Sequence, residues 1–280
     1  MIQGVKDGFV DFHEAKLHYT DCGSGRVIVL LHGFPENLHI WDRFATALSK
    51  NFRVIAIDLP GFGNSDCIGY VHTMELMAEG VHAVMRHLKL RRYVIAGHSM
   101  GGYVGLAFAE HFRENLSGLC LFHSTAYPDS EVKKTERSRT IAAIKKRPLQ
   151  YLKSFAANLF ADSRNVHFKE LNNIVSTASP RGIVAALEGM KMRPGREVVL
   201  KFAPFPVLFI WGKKDKLLNY EDLLPQAETP RRSEVLLLEN AGHLGFYEEP
   251  EESFNALKSF ANKCFRNGGR FVTKNKSNGI

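Results

Sequence analysis

Residues Val27-Ile-Val-Leu-Leu31 are apolar at every position and stop at His32-Gly33. A strand with one face in water alternates apolar and polar residues. An unbroken apolar run instead suits a strand covered on both faces, as in parallel sheets. Similar runs recur at 53–57, 93–96, 119–122, 206–211 and 234–238. In the first half of the chain, longer amphipathic segments at 38–49, 73–88 and 99–112 separate them and read as helices. This β–α–β alternation predicts an α/β protein with a mostly parallel sheet, right-handed crossovers and helices on both faces. Residues 8–13 and 15–19 alternate about a short turn and read as a hairpin, which brings the expected sheet to eight strands.

The rhythm stops near Thr125. From there to about Phe202 only helices are expected, at 130–146, 149–160, 166–178 and 181–190, punctuated by Pro128, Pro148, Pro180 and Pro194. Ser179-Pro180 offers a capping serine with proline at the first helical position. Strand character resumes at 206, and 251–265 reads as a closing helix. The expected organisation is therefore a core of residues 1–124 and 203–265, an all-helical insertion at 125–202 after the sixth strand, and a polar, basic, flexible tail at 266–280.

Bulk properties narrow the function classes. Hydrophobic content of 45% and charged content of 24% are ordinary for a globular protein. No apolar stretch is long enough to span a membrane, and the first residues lack the apolar centre of a signal peptide, so a cytoplasmic location is expected. Cys22, Cys67, Cys120 and Cys264 are far apart and form no CxxC pair, which reads as free thiols rather than a metal site or disulfide framework. The formal net charge is +8, and six Lys or Arg from Lys258 onward, with no acid among them, carry most of it. A second basic run lies at 133–147. Without a nucleic-acid motif these read as a solvated tail and a solvated helix face, and neither nucleic acid nor membrane is expected as a partner.

Ser99 sits between glycines in Gly97-His-Ser99-Met-Gly101, where an apolar run ends and a helical one begins. A serine hydroxyl is a poor nucleophile unless a base activates it and a turn presents it. A sharp strand-to-helix turn does the second, and Gly97 and Gly101 remove the side chains that would crowd it. The turn also leaves the Met100 amide free at a helix start, aimed at developing negative charge. The base should be a histidine oriented by a carboxylate, both at strand ends on the same rim. Asp215 follows the run at 206–211 and His243 follows the one at 234–238. Both stand beyond carboxyl ends of strands, where open α/β sheets bind ligands.

Taken together, His32-Gly-Phe-Pro35, Asp58-Leu-Pro-Gly-Phe-Gly-Asn-Ser65, Gly97-His-Ser-Met-Gly101, Gly212-Lys-Lys-Asp215 and Gly242-His243 resemble the α/β-hydrolase fold superfamily over residues 8–265. The resemblance implies that Phe34 supplies the second oxyanion amide and that the helical insertion is a cap over the site. Some members carry the acid after the sixth strand. The corresponding slot here holds Ser124, and nearby Asp129 reads as a helix cap. His98, His32, Asp58 and Asp66 read as structural. Trp41, Leu152, Phe155 and Leu159 are candidates to line an acyl pocket, although helical spacing equally suits core packing.

The first motif also resembles epoxide hydrolases and haloalkane dehalogenases of this fold, whose aspartate nucleophile attacks saturated carbon. An ester on aspartate can be hydrolysed, whereas serine would be left as an unreactive ether. Ser99 therefore points to carbonyl chemistry. The expected function is hydrolysis of a small carboxylic ester with an apolar acyl group. Ser99 attacks, His243 takes and returns the proton, Asp215 orients the imidazole, and the Phe34 and Met100 amides hold the oxyanion at about 3 kcal/mol per donor. No metal or organic cofactor is required. Carbon–carbon hydrolases, thioesterases, lactonases and slow-turnover ligand sensors resemble the same pattern. Leu244 stands where many carbon–carbon hydrolases carry tryptophan.

Overall fold

A computed structural model describes residues 4–266, with nothing specified for the side chains of 148 and 149. The basic tail expected at 266–280 lies outside the described residues apart from Arg266. Eight strands form one sheet: β1 (Lys6–Phe12), β2 (Ala15–Gly23), β3 (Val27–Leu31), β4 (Arg53–Ile57), β5 (Tyr93–His98), β6 (Leu116–Phe122), β7 (Val207–Gly212) and β8 (Ser233–Leu238). Their order is β1-β2-β4-β3-β5-β6-β7-β8. The expected hairpin is β1–β2, and β2 runs antiparallel to both of its neighbours, while every pairing from β4 to β8 is parallel. Residues of β3, β5 and β7 are buried along their whole length, as the unbroken apolar runs require. The edge strand β8 is only half buried, and its Glu234 pairs with Lys263 at 2.6 Å, a charge that guards an open edge.

Eleven α-helices accompany the sheet among the described residues: α1 (Asp42–Leu48), α2 (Met74–His87), α3 (Met100–His111), α4 (Glu131–Lys146), α5 (Pro148–Leu159), α6 (Phe168–Val175), α7 (Pro180–Met192), α8 (Glu197–Lys201), α9 (Tyr220–Ala227), α10 (Gly245–Glu248) and α11 (Pro250–Arg266). Both faces of the sheet are covered. Gly118 of β6 faces Phe260 and Cys264 of α11, while the next residue, Leu119, faces Gly105 of α3. On the α11 face, Phe44 of α1 meets Phe254 edge to face at 5.7 Å.

Between β6 and β7 the regular elements among the described residues are all helices, α4 to α8, joined by short irregular segments. Ser179 caps α7 through its hydroxyl, with Pro180 in the first turn as its sequence suggests. The short α8, α9 and α10 have no counterpart in the sequence reading, because four to eight residues seldom carry a full amphipathic period. All four cysteines are free thiols. No helix among the described residues is long and apolar enough to cross a membrane.

Candidate active site

Ser99 stands between β5 and α3 with φ +48° and ψ −112°, in a region L-residues avoid. Such a conformation costs of order 1–3 kcal/mol and persists only where the surroundings hold it. Here the Ser99 amide donates to the Phe122 carbonyl at 2.9 Å, and its carbonyl accepts from the Ser124 hydroxyl at 2.8 Å and the Gly102 amide at 2.9 Å. A β-carbon at Gly97 would overlap the Gly101 carbonyl, and one at Gly101 would lie 2.5 Å from the Leu31 carbonyl oxygen. The glycines thus let the start of α3 press against the ends of β3 and β5. Gly101→Ala is expected to cost about 1–3 kcal/mol by overpacking, read as a lowered thermal midpoint.

Asp215 and His243 meet across two loops. Asp215 lies just past β7, and its Oδ2 accepts from His243 Nδ1 at 2.7 Å. Its Oδ1 accepts the amides of Leu217 at 2.8 Å and Leu218 at 3.1 Å. Burial works against its charge, but the facing His243 with its hydrogen bond, and the nearby His123, win, holding its carboxyl far below the usual carboxylate range. His243 Nε2 is buried without a hydrogen-bond partner among the described residues. Its backbone is fixed at both ends: the amide donates to Leu159 O at 2.8 Å, and the carbonyl accepts from His98 Nε2 at 2.9 Å. His98 Nδ1 in turn donates to Glu36 Oε2 at 2.9 Å, and the same oxygen accepts the Gly33 amide at 2.8 Å. Glu36 is fully buried, yet His98 and the Gly33 amide outweigh desolvation and keep its pKa low. The structural role expected for His98 is therefore specific, since it ties the loop after β3 to the loop carrying His243.

His123 was not singled out by the sequence reading. It follows β6 with φ +46°, and its Nε2 accepts the Gly245 amide at 3.0 Å. That bond places the ring proton on Nδ1, which faces Asp215 Oδ2 at 3.5 Å. Burial pushes its pKa down to about 4, so the ring is neutral near pH 7. The one hint in the sequence was a histidine at the carboxyl end of an apolar run, beside the alternative acid slot at Ser124. Ligand atoms of His123, Asp215 and His243 lie within 4.8 Å of one another, a spacing a metal could bridge. The Gly245 bond, however, directs the His123 Nδ1 proton at the carboxylate, so a metal there would have to displace it.

Ser99, His243 and Phe34 line one cavity of about 250 Å³. The amides of Phe34 and Met100 donate to no acceptor among the described residues. Of the four expected pocket side chains, Phe155 lines this cavity and the other three do not. Trp41 is wholly buried, packed against Phe246 at 5.1 Å and Phe122 at 5.8 Å. Leu152 and Leu159 lie on the buried face of α5, where helical spacing turns them into the core and leaves Phe155 at the border.

Two charged readings are also corrected. Asp129 is not a helix cap: Ser130 caps α4, and Asp129 accepts from Arg137 and Arg193. The basic run at 133–147 is not wholly a solvated face, because Lys133 and Arg137 line the cavity and Arg137 is nearly buried. A further contact joins the helical insertion to the His243 loop. Glu248 accepts the amides of Ala161 at 2.7 Å and Gly242 at 2.8 Å.

Comparison with known proteins places this geometry in context. The profile of the alpha/beta hydrolase fold matches residues 26–250. A thermophilic esterase from Thermogutta terrifontis, solved with malate bound, superposes with a TM-score of 0.87 at 32% identity, covering 92% of this chain and 99% of that one. The AB hydrolase superfamily protein YisY of Bacillus subtilis is 27% identical over 88% of this chain and 95% of its own length. Haloalkane dehalogenase 2 of Mycobacterium tuberculosis is 26% identical over 88% of this chain and 92% of its own.

Proposed function

The chain belongs to the alpha/beta hydrolase fold family, and from that premise we propose that it is a serine hydrolase of carboxylic esters. One observation carries the reading. The unpartnered, buried Nε2 of His243 shares a cavity with Ser99 on its strained turn, while Nδ1 of the same ring is held by Asp215. In this reading His243 takes the Ser99 proton as the hydroxyl attacks the ester carbonyl. The vacant amides of Phe34 and Met100 receive the oxyanion, at about 3 kcal/mol for each donor. The imidazolium then protonates the leaving alcohol, and a water activated by the same ring clears the acyl-enzyme. Asp215 fixes the tautomer and offsets the positive charge that forms on the ring. The insertion at 125–202 acts as a cap, since α4, α5 and α7 supply much of the cavity wall.

Esterase relatives favour ester cleavage, and the dehalogenase relative keeps attack at saturated carbon as the competing reading. Ser99 separates the two, because an alkyl–serine ether would stall the cycle. The test is a panel of p-nitrophenyl esters from acetate to laurate beside 1-bromobutane and styrene oxide. Multiple turnover on short acyl esters, declining at laurate as the chain outgrows the cavity, is the expected result. Halide release or epoxide opening without ester turnover would overturn the proposal. A single slow acylation would point to a ligand sensor instead.

A further inference from the structure

The cavity that holds Ser99 has a charged wall that an apolar acyl ester leaves unused. Arg137 on α4 is nearly buried, donating from Nε to Asp129 Oδ2 at 2.5 Å and from Nη2 to Oδ1 at 3.2 Å. Asp129 is already matched by a second cation. The buried Arg193 donates to Asp129 Oδ1 at 2.6 Å and to the carbonyls of Met190 and Tyr127, both at 3.1 Å, with its guanidinium 3.9 Å above the Tyr103 ring. Two guanidinium groups therefore share one carboxylate. The other charged pair at the cavity, Lys133 with Glu136 at 3.1 Å, is self-neutralising and half exposed. A net positive charge is left beside the cavity. The Tyr103 side chain lines the same wall and faces the Arg137 guanidinium, a neutral neighbour that leaves this charge unbalanced.

A buried cation without a full counter-charge is costly, and one facing a cavity is compensated when an anion enters. We infer that Arg137 is an anion-binding residue of this site and that the substrate is an ester carrying a carboxylate at its far end, such as a half-ester of a dicarboxylic acid. The inference rests on the ester-hydrolase reading for its reaction, but not for its binding. Phe34, Phe155, Leu187 and Leu217 line apolar parts of the wall and suit the methylene chain between ester and carboxylate. Thr140 and Tyr151, joined by a 3.1 Å hydrogen bond, add hydroxyl groups to the polar wall. This departs from the apolar acyl ester expected from sequence. That expectation took the 133–147 run to face water.

The experiment compares kcat/KM for monomethyl adipate and methyl hexanoate, followed by titration of released acid, in the wild type, Arg137→Gln and Arg137→Lys. The wild type should prefer the anionic ester. Arg137→Gln should reduce the anionic-to-neutral ratio by about ten- to hundredfold, mostly through KM, the range for a hydrogen bond to a charged group. Arg137→Lys should restore part of it. Equal or poorer use of the anionic ester by the wild type would overturn the inference. So would an unchanged ratio in Arg137→Gln, which would leave Arg137 as a brace between α4 and Asp129. Arg193 still pairs with Asp129 in the variant, and a thermal melt checks that it folds. A second arm titrates Ser99→Ala with monomethyl adipate by calorimetry, with and without Arg137→Gln. At least tenfold weaker binding in the double variant supports the anion site even if neither ester is hydrolysed, a result that would sink only the ester reading.

Discussion

Ser99→Ala should yield a folded protein that has lost ester turnover by on the order of 10⁶-fold in kcat. The expected separation of activity from stability comes from the local geometry. Ser99 is the residue before α3, yet its side chain makes no capping hydrogen bond, and its hydroxyl has no partner among the described residues. The bonds that hold the turn run through the Ser99 backbone, to Phe122, Ser124 and Gly102. Alanine keeps the β-carbon and therefore the same backbone strain. Its thermal midpoint should match the wild type to within what about 0.5 kcal/mol allows. Fluorophosphonate labelling should vanish together with turnover. A variant that still hydrolyses esters at wild-type rates would exclude Ser99 as the nucleophile.

Asp215→Asn should lower kcat by about 10⁴-fold, and unlike Ser99→Ala it should also destabilise the fold. Three hydrogen bonds converge on this carboxylate, from His243 Nδ1 at Oδ2 and from the amides of Leu217 and Leu218 at Oδ1, and His123 Nδ1 faces Oδ2 at 3.5 Å. An asparagine brings an NH₂ group of its own. It must either face the two backbone amides or face the two imidazoles, and either way buried donors are left pointing at donors. The expected cost is about 1–3 kcal/mol, seen in a denaturant melt. The pH sign follows from the direction of the shift. Because the folded pKa lies below the unfolded value of about 3.9, the stabilisation by Asp215 is complete above that value. It is lost only as pH falls through the depressed folded value. Acid loss of activity in the wild type, well above this range, would therefore not be titration of Asp215.

Each of Ser99, Asp215 and His243 was legible because its signal is local. Each lies within a few residues of the carboxyl end of an apolar strand, in a short glycine-bearing loop, and the strand pattern alone puts such loops on one rim. Gly97 and Gly101 were legible for the same reason, since the turn that needs them is five residues long. Trp41, Leu152 and Leu159 show the limit of that logic. Their spacing was compatible with both a pocket and a core, and only the packing of Phe246 and Phe122 on Trp41 decided between them.

The alternation of buried runs and amphipathic segments, together with the glycines of the turn, dictated by itself an α/β sheet with a serine presented at its rim, because strand burial and turn sterics act over a few residues. Tertiary structure alone decided what surrounds that serine. Glu36 reaches His98 across 62 positions, His98 reaches the His243 carbonyl across 145, and Arg193 reaches Asp129 across 64. Contacts of that span depend on how loops and insertion fold over one another. No periodicity encodes which buried charge will find a partner and which will be left facing a cavity.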